Sequence, residues 1–330
     1  MTALIASLAI AIAAPVPLDK GRDAEFEKKV APAREKAIKY LKDAQQPNGS
    51  WDVLLFKSLL EMDGGTTALV VLGLIEAGVP ANDPAVAKAV EYLLALKPSK
   101  TYVVSLRTQA LARVDATKYA KEIQAGADWL LEKAIIRQGK LVGWSYPATE
   151  VADNSNTHFA VMALHVAAQA GAKVDADIWP KIRDFYADTQ HKDGGWKYIN
   201  VGDDKPSHSM TVAALLSLAV AVKYDKKATD PGPAFEKGMA ALLGEKVGKF
   251  GDGKSCAYSW MTTAELGRAL GSTEFKSGKQ VRAWYREGAE KLLKEQQMDG
   301  SWQASRANLD SNYPAITTAC GLYLLGRPLK

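Results

Sequence analysis

Two kinds of hydrophobic segment alternate along this chain. The first kind is apolar on one face, as Ala37, Ile38 and Leu41 are within 33–44, the pattern of a helix lying on a protein surface. The second is apolar nearly all round. Thr66 to Ala77 opens Thr-Thr-Ala-Leu-Val-Val-Leu-Gly-Leu-Ile, the mark of a helix buried on every side. The alternation predicts outer helices over Ala33–Ala44, Asp83–Leu96, Lys118–Ala134, Asp177–Thr189, Pro233–Leu243 and Val281–Gln297. Inner helices are predicted over Thr66–Ala77, Val103–Val114, Asn156–Ala170, Ser209–Val222, Cys256–Leu270 and Ala315–Leu325. Arg107 and Gln109 interrupt the second inner pattern. No convincing period-two strand is found.

A short motif punctuates the pairs. Gln45 to Trp51, Gln190 to Trp196 and Gln296 to Trp302 each run from a Gln to a Trp six positions on, with Gly in between. Each closes an outer helix and opens a turn, where Gly or Asn enters the left-handed conformation cheaply. A degraded copy runs from Trp129 to Gly143-Trp144. Tyr102 and Phe250 fall where two more are due, so aromatic ends recur about every 50 residues, as in a repeat architecture.

Six helical hairpins can stack openly or close into a ring. An open stack leaves one side of the inner helices wet, so the reading is an all-α fold, an (α/α)6 toroid of about twelve helices. No linker divides it, and 31–330 forms one domain. Residues 1–14 read as a signal peptide with an A-x-A-like end, cleaved after Ala13 or Ala14. That predicts an exported or periplasmic protein; a disordered apolar N-terminus on a cytoplasmic protein is the alternative. The segment is too short for an ordinary membrane span, and no integral span is expected in the mature chain.

Composition narrows the function classes. With 47% hydrophobic and 24% charged residues the chain is ordinary for a globular protein. A net charge of +5, with basic residues scattered among acidic ones, makes nucleic acid a poor partner. Cys256 and Cys320 form no CxxC pair and read as buried thiols.

The Gln-to-Gly-Trp repeats resemble the QW repeats of squalene-hopene cyclases, in the terpene cyclase and protein prenyltransferase β-subunit superfamily. The resemblance spans about Ala31 to Leu325. Asp153-Asn154-Ser155-Asn156-Thr157 and Trp284 to Glu290 look closer to squalene-cyclase-like repeat proteins of planctomycete-type bacteria. It implies a toroid around a central apolar cavity, and two chemistries to test. Class II cyclases protonate an isoprenoid with the middle Asp of D-x-D-D-T-A. Here the matching position is Ser155 and the next is Asn156. A hydroxyl is far too weak an acid for that step. Prenyltransferases hold zinc with an Asp-x-Cys pair and a His. Asp252 and Cys256 are spaced too widely, and Pro314 follows Tyr313 where the His belongs. Neither metal nor cofactor is expected. The Gly-Cys-Gly-Glu-Gln motif of thioester-containing relatives is absent.

Asp63, Asp153, Asp204, Asp252 and Asp310 each precede a predicted inner helix, and a toroid gathers those starts at one mouth. They are helix caps, or a site for a cation or polar headgroup. Asn156, His158 and His208 fall at the same mouth. Tyr146, Tyr258, Trp260, Met162, Met210 and Met261 are candidate cavity lining, since aromatic faces stabilise carbocations and Met suits a long apolar ligand. Gln45, Trp51, Trp144, Gln190, Trp196, Gln296 and Trp302 are expected to be structural.

Three functions follow. The first is a toroid without the usual acid or zinc, binding an isoprenoid or other apolar ligand or acting as a scaffold. The second is an isoprenoid cyclase using a non-family acid such as Asp153. The third is a polysaccharide-active (α/α)6 enzyme.

Overall fold

The computed structural model describes residues 23–52, 62–146, 151–202, 205–248, 257–303 and 313–326. Among them are twelve α-helices. Six are outer: α1 (Ala24–Asp43), α3 (Pro84–Ala95), α5 (Ala120–Glu132), α7 (Ile178–Asp188), α9 (Pro233–Leu243) and α11 (Trp284–Glu295). Six are inner: α2 (Gly65–Glu76), α4 (Thr101–Asp115), α6 (Asn154–Gln169), α8 (His208–Ala221), α10 (Ala257–Leu270) and α12 (Pro314–Leu325). Each inner helix packs on the next, and α12 returns to α2. The ring therefore closes. At that last contact a Cβ on Gly73 would lie 2.7 Å from the carbonyl oxygen of Ala319, so glycine lets the two helices meet.

The Gln-to-Trp motif works as a three-way staple. The indole N–H of Trp51, Trp196 and Trp302 donates to a carbonyl ten residues back, on Leu41, Tyr186 and Leu292, at 2.7–2.8 Å. The same residues' backbone N–H groups bond the hydroxyls of Thr67, Thr211 and Thr318 near the start of the following inner helix. Trp144 repeats both contacts, with Leu130 and Thr157. The Gln then reaches sideways. Gln45 bonds Ala85 of α3, Gln190 bonds Ala234 of α9 and Gln296 bonds Ala33 of α1, each at 2.8 Å, while also holding the carbonyl of its own turn glycine. A staple thus ties an outer helix to its inner partner and to the next outer helix. The third one joins the chain's end to its beginning.

Two expectations are corrected. The first helix starts at Ala24, not Ala33: Phe26, Val30, Ala33, Ala37 and Leu41 form one buried stripe, and Pro32 inside the helix disguised it. Strands also exist. Antiparallel hairpins join β1 (Ile135–Arg137) to β2 (Lys140–Gly143) and β3 (Phe275–Ser277) to β4 (Gln280–Arg282). Gln138 and Gly139, both at positive φ, make the first two-residue turn. Such short strands leave no period to read, and they shorten the predicted outer helices beside them. Cys256 and Phe250 lie outside the described residues, as do residues 1–14; Cys320 is buried. No described helix is long and apolar enough to cross a membrane.

Trp196→Ala or Trp302→Ala should each cost about 3–5 kcal/mol of stability in urea unfolding, as deleting a buried aromatic does. Gln296→Ala should cost about 1–3 kcal/mol through the carbonyls it leaves without a donor. Unchanged midpoints for both Trp variants would remove the staple interpretation.

Candidate functional site

The lumen of the ring is built in two layers. At the end where inner helices begin, Tyr102 of α4, Phe159 of α6 and Tyr258 of α10 meet, with ring centroids 5.0 and 5.3 Å apart. The helices α4 and α10 are not neighbours in the ring, so these side chains meet across it. Phe159 is buried and the two tyrosines are half-buried. Beside them His158 Nδ1 lies 2.7 Å from the Tyr258 hydroxyl, and His208 Nδ1 lies 2.9 Å from Ser259 Oγ.

The second layer sits where the inner helices end, and it is charged. Arg113 of α4 pairs with Glu76 of α2 at 3.0 Å, and Arg268 of α10 reaches the same carboxylate at 3.5 Å. Both guanidiniums lie against the ring of Tyr323 on α12, 5.5 and 5.6 Å from its centroid. Arg113 donates to the Tyr323 hydroxyl, and Arg268 donates to its backbone carbonyl at 2.5 Å. From outside, Arg34 donates to the Leu325 carbonyl at 2.9 Å. Parallel helices bring their negative dipole ends and unbonded carbonyls together here, which favours cations. Burying the arginines costs solvation, and pairing with Glu76 offsets it. The lumen is therefore charged at this end, a feature the expected apolar lining did not include.

Glu265 and His158 connect the layers. His158 Nε2 lies 3.7 Å from Glu265 Oε2. Both atoms are buried without a hydrogen-bond partner among the described residues. Burial raises the Glu265 carboxyl to about 7, although Arg113 and Arg268 pull the other way. Burial lowers His158 to about 3, so its imidazole is neutral. His165 is likewise lowered to about 3, by burial first and then by Lys223 and Arg113, and its Nδ1 lies 2.7 Å from the Tyr224 hydroxyl.

Asp153 caps α6. Its Oδ1 accepts from the Asn156 backbone N–H at 2.8 Å and from Ser155 Oγ at 2.7 Å, and its Oδ2 accepts from Asn156 Nδ2 at 2.7 Å. Asp63 is half-buried just ahead of α2, near Tyr92. The capping of α2 falls to Asp52, which accepts from the N–H groups of Gly64 and Thr67 and the hydroxyls of Thr67 and Tyr92. Asp204, Asp252 and Asp310 lie outside the described residues. Met162, Met210, Met261 and Trp260 are buried, and Tyr146 is half-buried. Among the described residues no three His, Cys, Asp or Glu side chains gather as a metal site requires. Sequence reasoning missed Glu76, Arg113, Glu265, Arg268 and Phe159. Only Glu265 carried a signal, a charge well inside an otherwise apolar helix.

No protein-family model matches the chain, and no curated protein sequence does. Solved structures do. The type II terpene cyclase MstE from Scytonema superposes with a TM-score of 0.59 at 15% identity, covering 90% of this chain and 98% of that one. A variant of MstE in complex with its substrate geranylgeranyl dihydroxybenzoate gives 0.60 at 14%, covering 91% and 97%. The GH76A α-1,6-mannanase from Salegentibacter sp. HEL1_6 gives 0.61 at 9%, covering 90% and 98%. At such identities the likeness is one of fold, the α/α toroid.

The buried acid and bases leave a pH signature. Between about 4.5 and 6.5 folded Glu265 keeps a proton that its unfolded form sheds, so its contribution falls as pH rises. His158 and His165 refuse a proton that their unfolded forms take, so theirs grows with pH in the same window. Glu265→Gln should steepen the rise of stability with pH by about one proton per molecule, read from urea midpoints at several pH values. An unchanged slope would show that folded Glu265 is already ionised at pH values of about 5.

Proposed function

We propose that this toroid holds an apolar, isoprenoid-class chain against Tyr102, Phe159 and Tyr258, without the Asp-driven protonation of class II cyclases. One observation carries the reading: three aromatic rings from three inner helices meet across the lumen, two of them half-buried. Such a group offers a chain large apolar faces at low entropic cost. An acid that protonates an alkene must be a neutral carboxyl directed at its substrate. The Asp153 carboxylate instead takes three donors as a helix cap, which speaks against that role. The polysaccharide alternative needs two carboxyls facing a cleft about 5–10 Å apart. Glu76 and Glu265 are buried beside Arg113 and Arg268 and lend it no support. Residues 1–14 would direct the chain to export.

Titration of the full chain with squalene and with geranylgeraniol, read by native mass spectrometry, should give one bound chain per protein. Phe159→Ala should weaken binding about tenfold, the worth of one aromatic contact. Failure to retain either chain would overturn the reading, and so would a cyclised product.

A further inference from the structure

The aromatic group carries one polar device that packing alone does not require. Tyr258 faces His158 Nδ1 at 2.7 Å, and His158 Nε2 and Glu265 Oε2, both buried without a hydrogen-bond partner among the described residues, face each other at 3.7 Å. The line runs from the half-buried edge of the lumen inward to its charged layer. Building on the binding reading above, we propose that Tyr258 anchors the oxygen-bearing end of an otherwise apolar chain, with His158 and Glu265 setting whether its hydroxyl donates or accepts.

The proton count fixes the two states. With Glu265 neutral, its O–H points at His158 Nε2, His158 Nδ1–H donates to the Tyr258 oxygen, and the Tyr258 O–H is directed to the ligand. With Glu265 ionised, His158 carries its proton on Nε2 and faces the carboxylate. Tyr258 then donates to Nδ1 and offers the ligand only lone pairs. A phenol has one donor site and two acceptor sites, so each state leaves a further acceptor site for other contacts of Tyr258. An alcohol, which both donates and accepts, fits either state. An ether or ketone fits only the first.

The surroundings make the switch local to Glu265. Among the described residues, Arg113 from α4, Glu76 from α2, Arg268 on its own helix, Tyr323 from α12 and His158 from α6 are the ionisable groups acting on it. The adjacent α8 presents His208, which is engaged with Ser259. Burial holds the carboxyl near neutrality, to about 7, and the two arginines stabilise the anion once it forms. His158 stays neutral throughout and serves only to choose which nitrogen bears the proton.

The test uses the full chain with geranylgeraniol, its methyl ether and the corresponding hydrocarbon at pH values of about 5.5 and 8.5, on either side of the Glu265 transition. The ether should bind about tenfold tighter at the lower pH, the alcohol should change less than about threefold, and the hydrocarbon should not change. Glu265→Gln should abolish the pH dependence of the ether. Tyr258→Phe should erase the preference for alcohol over hydrocarbon. In ¹⁵N NMR, His158 should move from the Nδ1–H to the Nε2–H tautomer between the two pH values. An immobile tautomer, or a Tyr258→Phe protein that still prefers the alcohol, overturns the anchor. Hydrocarbon binding without discrimination overturns it alone, whereas no binding of any chain overturns the binding reading as well.

Discussion

Everything in this ring depends on hiding six helices that are apolar on every side. Water cannot cover them, so an outer sheath and lateral contact between neighbours must. A closed circle satisfies both demands and creates two further problems: a lumen to fill and six helix dipoles aligned in parallel. Both are solved from within. Tyr102, Phe159 and Tyr258 line the lumen where the helices start, and Glu76, Arg113, Arg268 and Tyr323 close it where they end. The arginines stand where aligned carbonyls make the potential most negative.

Much of this was legible in the chain because the repeating elements obey local rules. An apolar-all-round segment following a one-faced one announces a buried helix, and a Gln six residues ahead of a Trp announces the staple. The elements that escaped obey non-local ones. The strands are three or four residues long and owe their existence to turn geometry at Gln138-Gly139 and at Gly278. Asp52 caps α2 from a loop fifteen residues before Thr67, so no spacing rule assigns it. Glu76, Arg113 and Arg268 stand near helix ends, where sequence alone cannot separate a solvated charge from one turned into a lumen.

The contrast with class II cyclase chemistry is electrostatic. Such an enzyme needs a neutral carboxyl directed at the bound chain. Here the mouth carboxylate Asp153 is surrounded by donors. The carboxyl that burial keeps protonated is Glu265, deeper in the lumen and near two arginines. A fold shared with a terpene cyclase and a mannanase thus leaves function to the side chains it carries.

The seam sealed by Gln296 has a consequence for how the chain is made. Its partner, Ala33, lies 263 residues earlier, and α2 finds its second inner neighbour only in α12. On a ribosome adding about 5–20 residues per second, α2 waits roughly 10–50 s with one apolar flank uncovered. Closure is therefore the step of greatest loop entropy and the natural bottleneck of folding. A nascent chain of this design is most exposed to aggregation in the interval before α12 emerges.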